Sequence, residues 1–341
     1  MQNKIFNLIV VVLSACILLS FFVFTNNTHS LLVTLRSVNK LWIIIALVCM
    51  LIFWLLEAII LHIITTILYN THNLFYKSIK FAMIGQFFGS LTPFASGSQP
   101  AQLYAMTEYG IPAGTSGSIL MIKFIIHQTV FTIYSLLVMV LKFSYFQSKI
   151  KYFIYFALVG FSFNTLIIII AFLFSSNDKL TKKLLLIILT VLSKIRLVKN
   201  PQQKYEDIEK ELMSFHKNSA IIGKNKLVCL NASILTFIQW TIFYSIPYCV
   251  YRSFGFNSAG IFTMISAQIF LTIIMSCVPL PGGEGAAEGG FFIIFKLFFP
   301  QNLLLPAIFL WRILSYYSCI AAGCLFAFVK SSSSKIKPNK A

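Results

Sequence analysis

Apolar runs long enough to cross a lipid bilayer recur along the sequence and restrict the fold more than any other feature. One of them, Leu41 to Leu68, contains a single carboxylate, Glu57. A helix needs about 20 mainly apolar residues to cross a hydrocarbon layer of about 30 Å. With 58% hydrophobic and 11% charged residues, the chain is more apolar than a soluble domain, and no large soluble domain fits. We therefore predict an all-α, polytopic integral membrane protein with seven or eight transmembrane helices.

Seven runs are predicted to span the membrane. A shorter run, Phe81 to Leu91, cannot reach across at about 1.5 Å per residue and is predicted to enter and turn back. The segment Glu284 to Phe299 is predicted to be a helix that either returns or crosses, and Leu184 to Leu192 is too short to span. The predicted spans are Ile5–Phe24, Leu41–Leu68, Ser118–Leu141, Tyr152–Phe174, Leu227–Tyr251, Ile261–Val278 and Leu303–Val329.

The chain has a formal net charge of +18, and many of its basic residues are concentrated in two places. Of the 27 Lys and Arg residues, 11 lie between Asp178 and Lys226 and four follow Val329. Such clustering marks cytoplasmic loops beside anionic lipid and does not indicate nucleic-acid binding. We predict one membrane domain over residues 1–330 with a cytoplasmic loop at 178–226, a cationic cytoplasmic tail at 331–341, and both termini in the cytoplasm.

The cytoplasmic loop contains an amphipathic pattern. Tyr205, Ile208, Leu212 and Phe215 recur at helical spacing among acidic residues and Lys210. The pattern predicts a helix that lies on the membrane surface, and a solvated linker helix is an equally good interpretation.

Two apolar stretches are interrupted by proline and glycine, one in each half of the chain. They read LTPFASGSQPAQ, containing Pro93 and Gly97, and VPLPGGEGAAEGG, containing Pro281 and Gly285. Irregular backbone at membrane depth is tolerated only where protein buries it or a cavity hydrates it. Paired breaks of this kind indicate one or two re-entrant or broken helices and favour an inverted repeat with a binding site at its interface. The alternative is that membrane helices simply tolerate these residues.

Ionisable side chains within the apolar runs are candidates for function. A charge at the centre of a membrane helix costs about 2.5 to 3.5 kcal/mol on insertion scales, so such a residue is a functional hypothesis by default. Glu57 lies in the middle of a span, and Lys123 and His127 are four residues apart in another. Lys123 and His127 can contact a phosphate, or they can form a structural ion pair with Glu57.

Two carboxylates and an arginine follow in the second half. Glu284 and Glu288 are four residues apart and are predicted to share a face of the helix that begins there, where they can receive ammonium groups. Alternatively, Glu284 only stabilises the helix N-terminus. Arg312 in the last span offers a planar fork suited to phosphate, and it can instead neutralise Glu288.

The first break offers backbone amides. Ser96, Gly97 and Ser98 precede Pro100, which suits the first turn of a helix, so their amides can hold a phosphate oxygen or simply form an N-cap. The complete set of candidate lipid-binding and translocation residues is Glu57, Pro93, Ser96, Gly97, Ser98, Lys123, His127, Pro281, Gly282, Gly283, Glu284, Glu288 and Arg312.

A family resemblance rests on two segments, SLTPFASGSQPAQLYAMTEYGIPAGTSGSILMIKFIIHQ and PLPGGEGAAEGGF, in this order and with Arg312 in the last span. The chain resembles, over nearly its whole length, the lysylphosphatidylglycerol synthase transmembrane family, which includes the flippase half of the multiple peptide resistance factor. The resemblance implies a multi-pass domain of the bacterial inner membrane. It also implies that the protein moves lysyl-phosphatidylglycerol between leaflets and contributes to resistance against cationic antimicrobial peptides.

In full-length members of that family, a cytosolic domain makes this lipid from phosphatidylglycerol and lysyl-tRNA. The present sequence stops at Ala341, so we expect no such domain and no chemistry on the lipid. Two alternatives stay open: a phosphatidylglycerol lysyltransferase or its membrane part, and a carrier for another anionic or polyprenyl lipid.

The expected partners are a phospholipid, in first place aminoacyl-phosphatidylglycerol, and the membrane itself. A separate synthase protein and a second copy of the chain are further partners that the sequence leaves open. The histidines and the seven cysteines lack ligand spacing, and no nucleotide motif is present, so we expect neither a metal nor a cofactor.

Overall fold

The fold is known from a computed structural model that describes residues 34–69, 73–150, 153–194 and 201–328. In these ranges the regular structure is helical, and the extended backbone is limited to one isolated bridge. Five helical segments are long and apolar enough to cross a membrane: Lys40–Thr66, Ala113–Gln147, Phe153–Ser176, Lys226–Ser253 and Gln301–Ala327. The prediction of an all-α polytopic membrane protein is therefore confirmed. The predicted span Ile5–Phe24 and the predicted tail 331–341 lie outside the described residues.

The helices follow one another with short connections. A single π-helical turn, Ile313–Tyr317, interrupts the last long helix between α12 and α13. The helices are α1 Lys40–Thr66, α2 Leu74–Leu91, α3 Ser98–Glu108, α4 Ala113–Gln147, α5 Phe153–Ser176, α6 Asp178–Lys194, α7 Pro201–Lys224, α8 Lys226–Tyr244, α9 Ile246–Ser253, α10 Ile261–Met275, α11 Ala286–Phe295, α12 Gln301–Arg312 and α13 Ser318–Phe328.

Helix α2 is longer than the predicted run Phe81 to Leu91, because it begins at Leu74. Lys77 and Lys80, which precede that run in the sequence, lie inside the helix. Lys80 is buried, and its ammonium group donates a 3.1 Å hydrogen bond to the hydroxyl of Tyr109, over whose ring it also lies. Its charge is therefore accommodated within the protein and does not end the helix.

The order of elements around the first break is repeated around the second. In both halves a long helix is followed by a shorter one, a break, a second short helix and another long helix. The first set is α1, α2, α3 and α4. The second set is α8 with α9, then α10, α11, and the helix that runs from α12 to α13. Both breaks predicted from proline and glycine are present, and the inverted sense of the repeat stays a prediction.

The two breaks also have the same backbone conformation. After Pro93, Phe94 and Ala95 both have φ of 54°. After Pro281, the equivalent residues Gly282 and Gly283 have φ of 59° and 62°. These are left-handed conformations, which glycine adopts readily and other residues adopt at a cost. The chain therefore makes the same turn twice with different side chains.

The two turns meet at one point. Pro93 and Pro281 form an isolated antiparallel β-bridge. The two prolines occupy equivalent positions of the repeat and pair in antiparallel directions, as an inverted repeat would require. Helix α13 also packs closely against α2. The fold thus brings together two segments that are far apart in the sequence.

Buried apolar residues form two clusters. The larger one joins α1, α4 and α5 to the helices of the second half, and its largest fully buried side chains include Tyr244, Phe270 and Phe291. The smaller cluster connects helices α1, α2, α3, α4, α7 and α8, and Leu61 and Phe81 are among its fully buried side chains. Helices α1, α4 and α8 contribute to both clusters and hold the two halves together.

The amphipathic helix of the loop is α7, and its apolar face packs on protein. Leu212 and Phe215 are buried, and the ring of Phe215 contacts that of Phe174 on α5 at 5.8 Å between centroids. The carboxylate of Glu211 accepts a 2.5 Å hydrogen bond from the backbone N–H of Gly114, in the first turn of α4. The ends of α4 and α5 cover this part of its apolar side, so α7 is not a solvated linker, and its place at the membrane surface stays a prediction.

Candidate lipid head-group cavity

A cavity of about 720 Å³ lies between the two breaks. Residues from both turns line it, together with residues of α2, α4, α5, α8, α10 and the last helix. Its volume is within the usual range of small-molecule sites, which is about 300 to 1,000 Å³. Five residues proposed from the sequence are on its wall: Ser98, His127, Gly282, Gly283 and Arg312.

Arg312 is the charged group on this wall that two neighbours fix in place. Its Nε donates a 2.7 Å hydrogen bond to Oε1 of Glu288, and its Nη1 donates one of 3.0 Å to the carbonyl oxygen of Gly282. Its third nitrogen, Nη2, is buried without a hydrogen-bonding partner among the described residues. Because a buried donor without a partner is costly, Nη2 is the natural contact for an anionic ligand.

Glu288 neutralises Arg312, as one of the sequence alternatives stated. Its second oxygen, Oε2, accepts a 2.7 Å hydrogen bond from the backbone N–H of Gly285, just before α11. Glu288 therefore stabilises the N-terminus of α11, the role that the sequence left open for Glu284.

The expected shared helix face of Glu284 and Glu288 is wrong. Helix α11 begins at Ala286, and Gly285 before it has φ of 79°, so Glu284 lies in the turn and not on the helix. A left-handed residue between the two carboxylates removes the helical register that would place them side by side. One oxygen of Glu284 is buried without a partner among the described residues, and Glu284 is not on the cavity wall.

The candidates of the first half form a buried polar network. Lys123 Nζ lies 2.5 Å from Oε1 of Glu57, and Gln239 Nε2 donates a 2.9 Å hydrogen bond to Oε2 of the same carboxylate. Lys123 also contacts Gln102 Oε1 on α3 at 3.3 Å, and His127 Nε2 is 3.7 Å from Glu57. Of these residues, only His127 lines the cavity. The structure thus contains the ion pair that was the alternative to phosphate binding.

The amides of the first break are occupied by local hydrogen bonds. The N–H of Ser96 donates to the carbonyl of Pro93 at 3.0 Å, that of Gly97 to the Thr92 hydroxyl at 2.8 Å, and that of Ser98 to Ala95 at 3.1 Å. These bonds build the turn itself and leave no amide of this group free for a phosphate. Pro93 and Pro281 hold the breaks together and do not line the cavity.

Several residues of the cavity wall were not proposed from the sequence. The hydroxyl of Tyr316, in the π-helical turn, donates a 2.9 Å hydrogen bond to the carbonyl of Ser90 at the end of α2. The uncharged polar residues on the wall include Gln128, Asn164, Gln268, Thr272 and Ser276. A signal for the amides existed, since an amide in an apolar membrane run is costly unless it has a partner.

Metal ligation has no support in the described ranges, where no group of three or more His, Cys, Asp or Glu residues could hold an ion.

Comparison with known proteins places the chain in a family. A family model described as the lysylphosphatidylglycerol synthase TM region matches residues 7–323. A "UPF0104 membrane protein" from Archaeoglobus fulgidus is 24% identical over 305 residues, which cover 87% of this chain and 90% of that protein. No solved structure matches the chain. Because the family model covers nearly all of the sequence, the chain belongs to the family of the lysylphosphatidylglycerol synthase transmembrane region.

Proposed function

We propose that the cavity between the two breaks binds the head group of an anionic phospholipid and that the protein moves this lipid between the leaflets of the membrane. One observation carries the proposal. Arg312 lies on the cavity wall, beside the point where the two turns meet, with one buried guanidinium nitrogen that has no partner among the described residues.

The arrangement of Arg312 suits a phosphate group. Glu288 and the carbonyl of Gly282 hold two of its nitrogens, so the guanidinium plane is fixed before a ligand arrives. Guanidinium groups match the geometry of phosphate oxygens, and a preorganised group loses less freedom on binding. The rings of Trp311 and Tyr316 lie 5.3 Å and 4.9 Å from the guanidinium carbon and support it further.

The paired turns supply a route for movement. Membrane transporters often carry their binding site where two broken helices meet, and one half moves against the other around it. Here the contact between the turns is a single β-bridge, with the cavity next to it. In the proposed cycle the two breaks open alternately to each leaflet, and no bond of the lipid is made or broken.

Lysyl-phosphatidylglycerol is the aminoacyl lipid to test first, because the family name and the sequence resemblance both refer to it. The chain is a multi-pass membrane protein of a lipid-related family. We further propose a bacterial cell membrane, cytoplasmic termini, and a separate synthase or a second copy of the chain as partner.

A transport assay tests the proposal. The purified protein is reconstituted into liposomes that contain fluorescent phosphatidylglycerol, and the fraction reachable by an external quencher is followed over time. Arg312→Lys keeps the charge but loses the fork, so we expect translocation to slow by roughly tenfold. Lys296→Met is the matched control, because Lys296 is an exposed cation of the same half and should not affect transport.

Lipid movement that is equal in protein-containing and empty liposomes would contradict the proposal. If the Arg312→Lys protein translocates lipid as fast as the wild type, the guanidinium of Arg312 does not have the proposed role in phosphate binding. A double variant, Glu288→Gln with Arg312→Gln, removes both charges together and tests the cavity without leaving a partly buried carboxylate unpaired.

A further inference from the structure

The cavity wall around Arg312 consists mainly of uncharged polar and aromatic side chains. Gln128 Nε2 donates a 2.6 Å hydrogen bond to Asn164 Oδ1, and Asn164 Nδ2 donates one of 2.9 Å to the hydroxyl of Ser276. These three residues come from α4, α5 and the segment after α10, and all three line the cavity. They form an ordered, neutral polar surface that faces the same space as Arg312.

Besides Arg312 Nη2, four buried polar atoms of wall residues lack hydrogen-bonding partners within the described part of the chain: His127 Nε2, Trp240 Nε1, the Tyr244 hydroxyl and Gln268 Oε1. Two of them have opposite roles, the acceptor Oε1 of Gln268, a residue that is 1% exposed, and the donor Nε1 of Trp240. A hydroxyl group can donate to one and accept from the other, whereas an ammonium group can only donate. Both atoms can therefore be satisfied by hydroxyl groups of one ligand.

An ammonium group finds no carboxylate on this wall. None of the described residues that line the cavity is Asp or Glu. Glu57 is paired with Lys123 and Gln239, Glu288 is paired with Arg312, and Glu284 is outside the lining. Burying an ammonium group without an opposite charge is expensive, so a lysyl head group would be disfavoured here.

The indole of Trp240 does not compensate for this. Trp240 stacks on Tyr244 with centroids 5.4 Å apart and an interplanar angle of 11°. The rings of Phe53, Phe131 and Phe243 also lie about its indole, at 6.0 to 6.2 Å. A cation–π site needs an open ring face, and here neighbouring rings surround the indole.

We infer that the cavity selects an anionic phospholipid whose head group is uncharged and bears hydroxyls, and that it discriminates against aminoacylated head groups. This inference rests on the proposed lipid-binding function and specifies its substrate class. The phosphate contacts Arg312, and the hydroxyls of the head group contact Gln268, Trp240 and the amides of α4 and α5.

Native mass spectrometry of the purified full chain tests the inference. Equimolar phosphatidylglycerol and lysyl-phosphatidylglycerol are added together, and phosphatidic acid, which has the phosphate but no head-group hydroxyl, is measured separately. We expect phosphatidylglycerol to be bound over the lysyl lipid by roughly tenfold or more, as one unmatched buried polar group implies.

Two variants locate the selectivity. Gln268→Leu, or Gln128→Leu if the first does not fold, should lower binding of phosphatidylglycerol while binding of phosphatidic acid is unchanged. Ser266→Ala is the matched control on α10, because Ser266 is buried but does not line the cavity. Glu284→Gln should leave the preference between the two lipids as it is.

Equal or stronger binding of the lysyl lipid would overturn the inference, and its loss in Glu284→Gln would assign the ammonium group to Glu284. Binding of all three lipids without preference would also overturn it while leaving the proposed function in place. Binding of none of the three, phosphatidic acid included, would instead remove the proposed function on which the inference rests.

Discussion

Tyr316 connects the last helix to the first break: its hydroxyl donates a 2.9 Å hydrogen bond to the carbonyl oxygen of Ser90. Ser90 is in the last turn of α2, where carbonyl groups lack helical partners. Tyr316 itself is in a π-helical turn, a rare conformation that is frequent at functional sites. The bond thus joins the two halves of the chain beside the cavity that both residues line.

Tyr316→Phe should lower the free energy of unfolding by about 0.5 to 1.5 kcal/mol, because the Ser90 carbonyl loses its hydrogen bond while the ring remains. Reversible denaturation in mixed detergent micelles measures the change. Tyr317→Phe, next to it in the sequence, is the control and should have little effect. If both variants have the same stability as the wild type, the hydrogen bond does not contribute to the fold.

Lys123→Met should destabilise the protein strongly, by about 3 to 5 kcal/mol, because it leaves the buried carboxylate of Glu57 without its cation. The double variant Glu57→Gln with Lys123→Met should recover most of this loss, since it removes both charges. The free energies of unfolding of Lys123→Met, Glu57→Gln, the double variant and the wild type form a double-mutant cycle. Additive effects in that cycle would show that the two side chains do not interact.

Gly282→Ala should destabilise the second turn by about 2 to 4 kcal/mol. A Cβ at this position would collide with the ring of Tyr316, and φ of 59° is unfavourable for alanine. Gly289→Ala is the matched control, because a Cβ there meets nothing within 4 Å and alanine favours the helix. In thermal unfolding, Gly282→Ala should melt at a lower temperature than the wild type and Gly289→Ala at a higher one. The same melting temperature for both would contradict the described turn.

Glu211→Gln should loosen α7 from the bundle, because the carboxylate that accepts the N–H of Gly114 also stabilises the positive end of the α4 dipole. We expect a loss of about 1 kcal/mol. Hydrogen exchange in α7 should become faster. Glu206→Gln, at an exposed position of the same helix, is the control. Unchanged exchange in Glu211→Gln would exclude this role of the carboxylate.

Membrane class and the two breaks could be predicted from the sequence because both depend on local composition. Long apolar runs determine the spans, and proline with glycine marks the breaks. Which side chains pair with one another depends on distances between segments, and the sequence does not provide these distances. Thus Arg312 and Glu288 were recognised as a potential pair, but the sequence alone could not decide between that pair and a phosphate contact. The shared helix face of Glu284 and Glu288 was predicted wrongly for the same reason, and the protein contacts of α7 could not be foreseen, since a left-handed glycine and a packing partner are tertiary features.

The two turns have the same shape, but the backbone conformation has a higher energy in the first turn than in the second. Glycine holds the left-handed positions of the second turn, whereas Phe94 and Ala95 hold them in the first, where each side chain raises the energy of the backbone by about 1 to 2 kcal/mol. The first turn is therefore the one that gains by rearranging, and the Pro93–Pro281 contact opposes this release. When that contact separates, residues 92–97 should change conformation before residues 280–285 do.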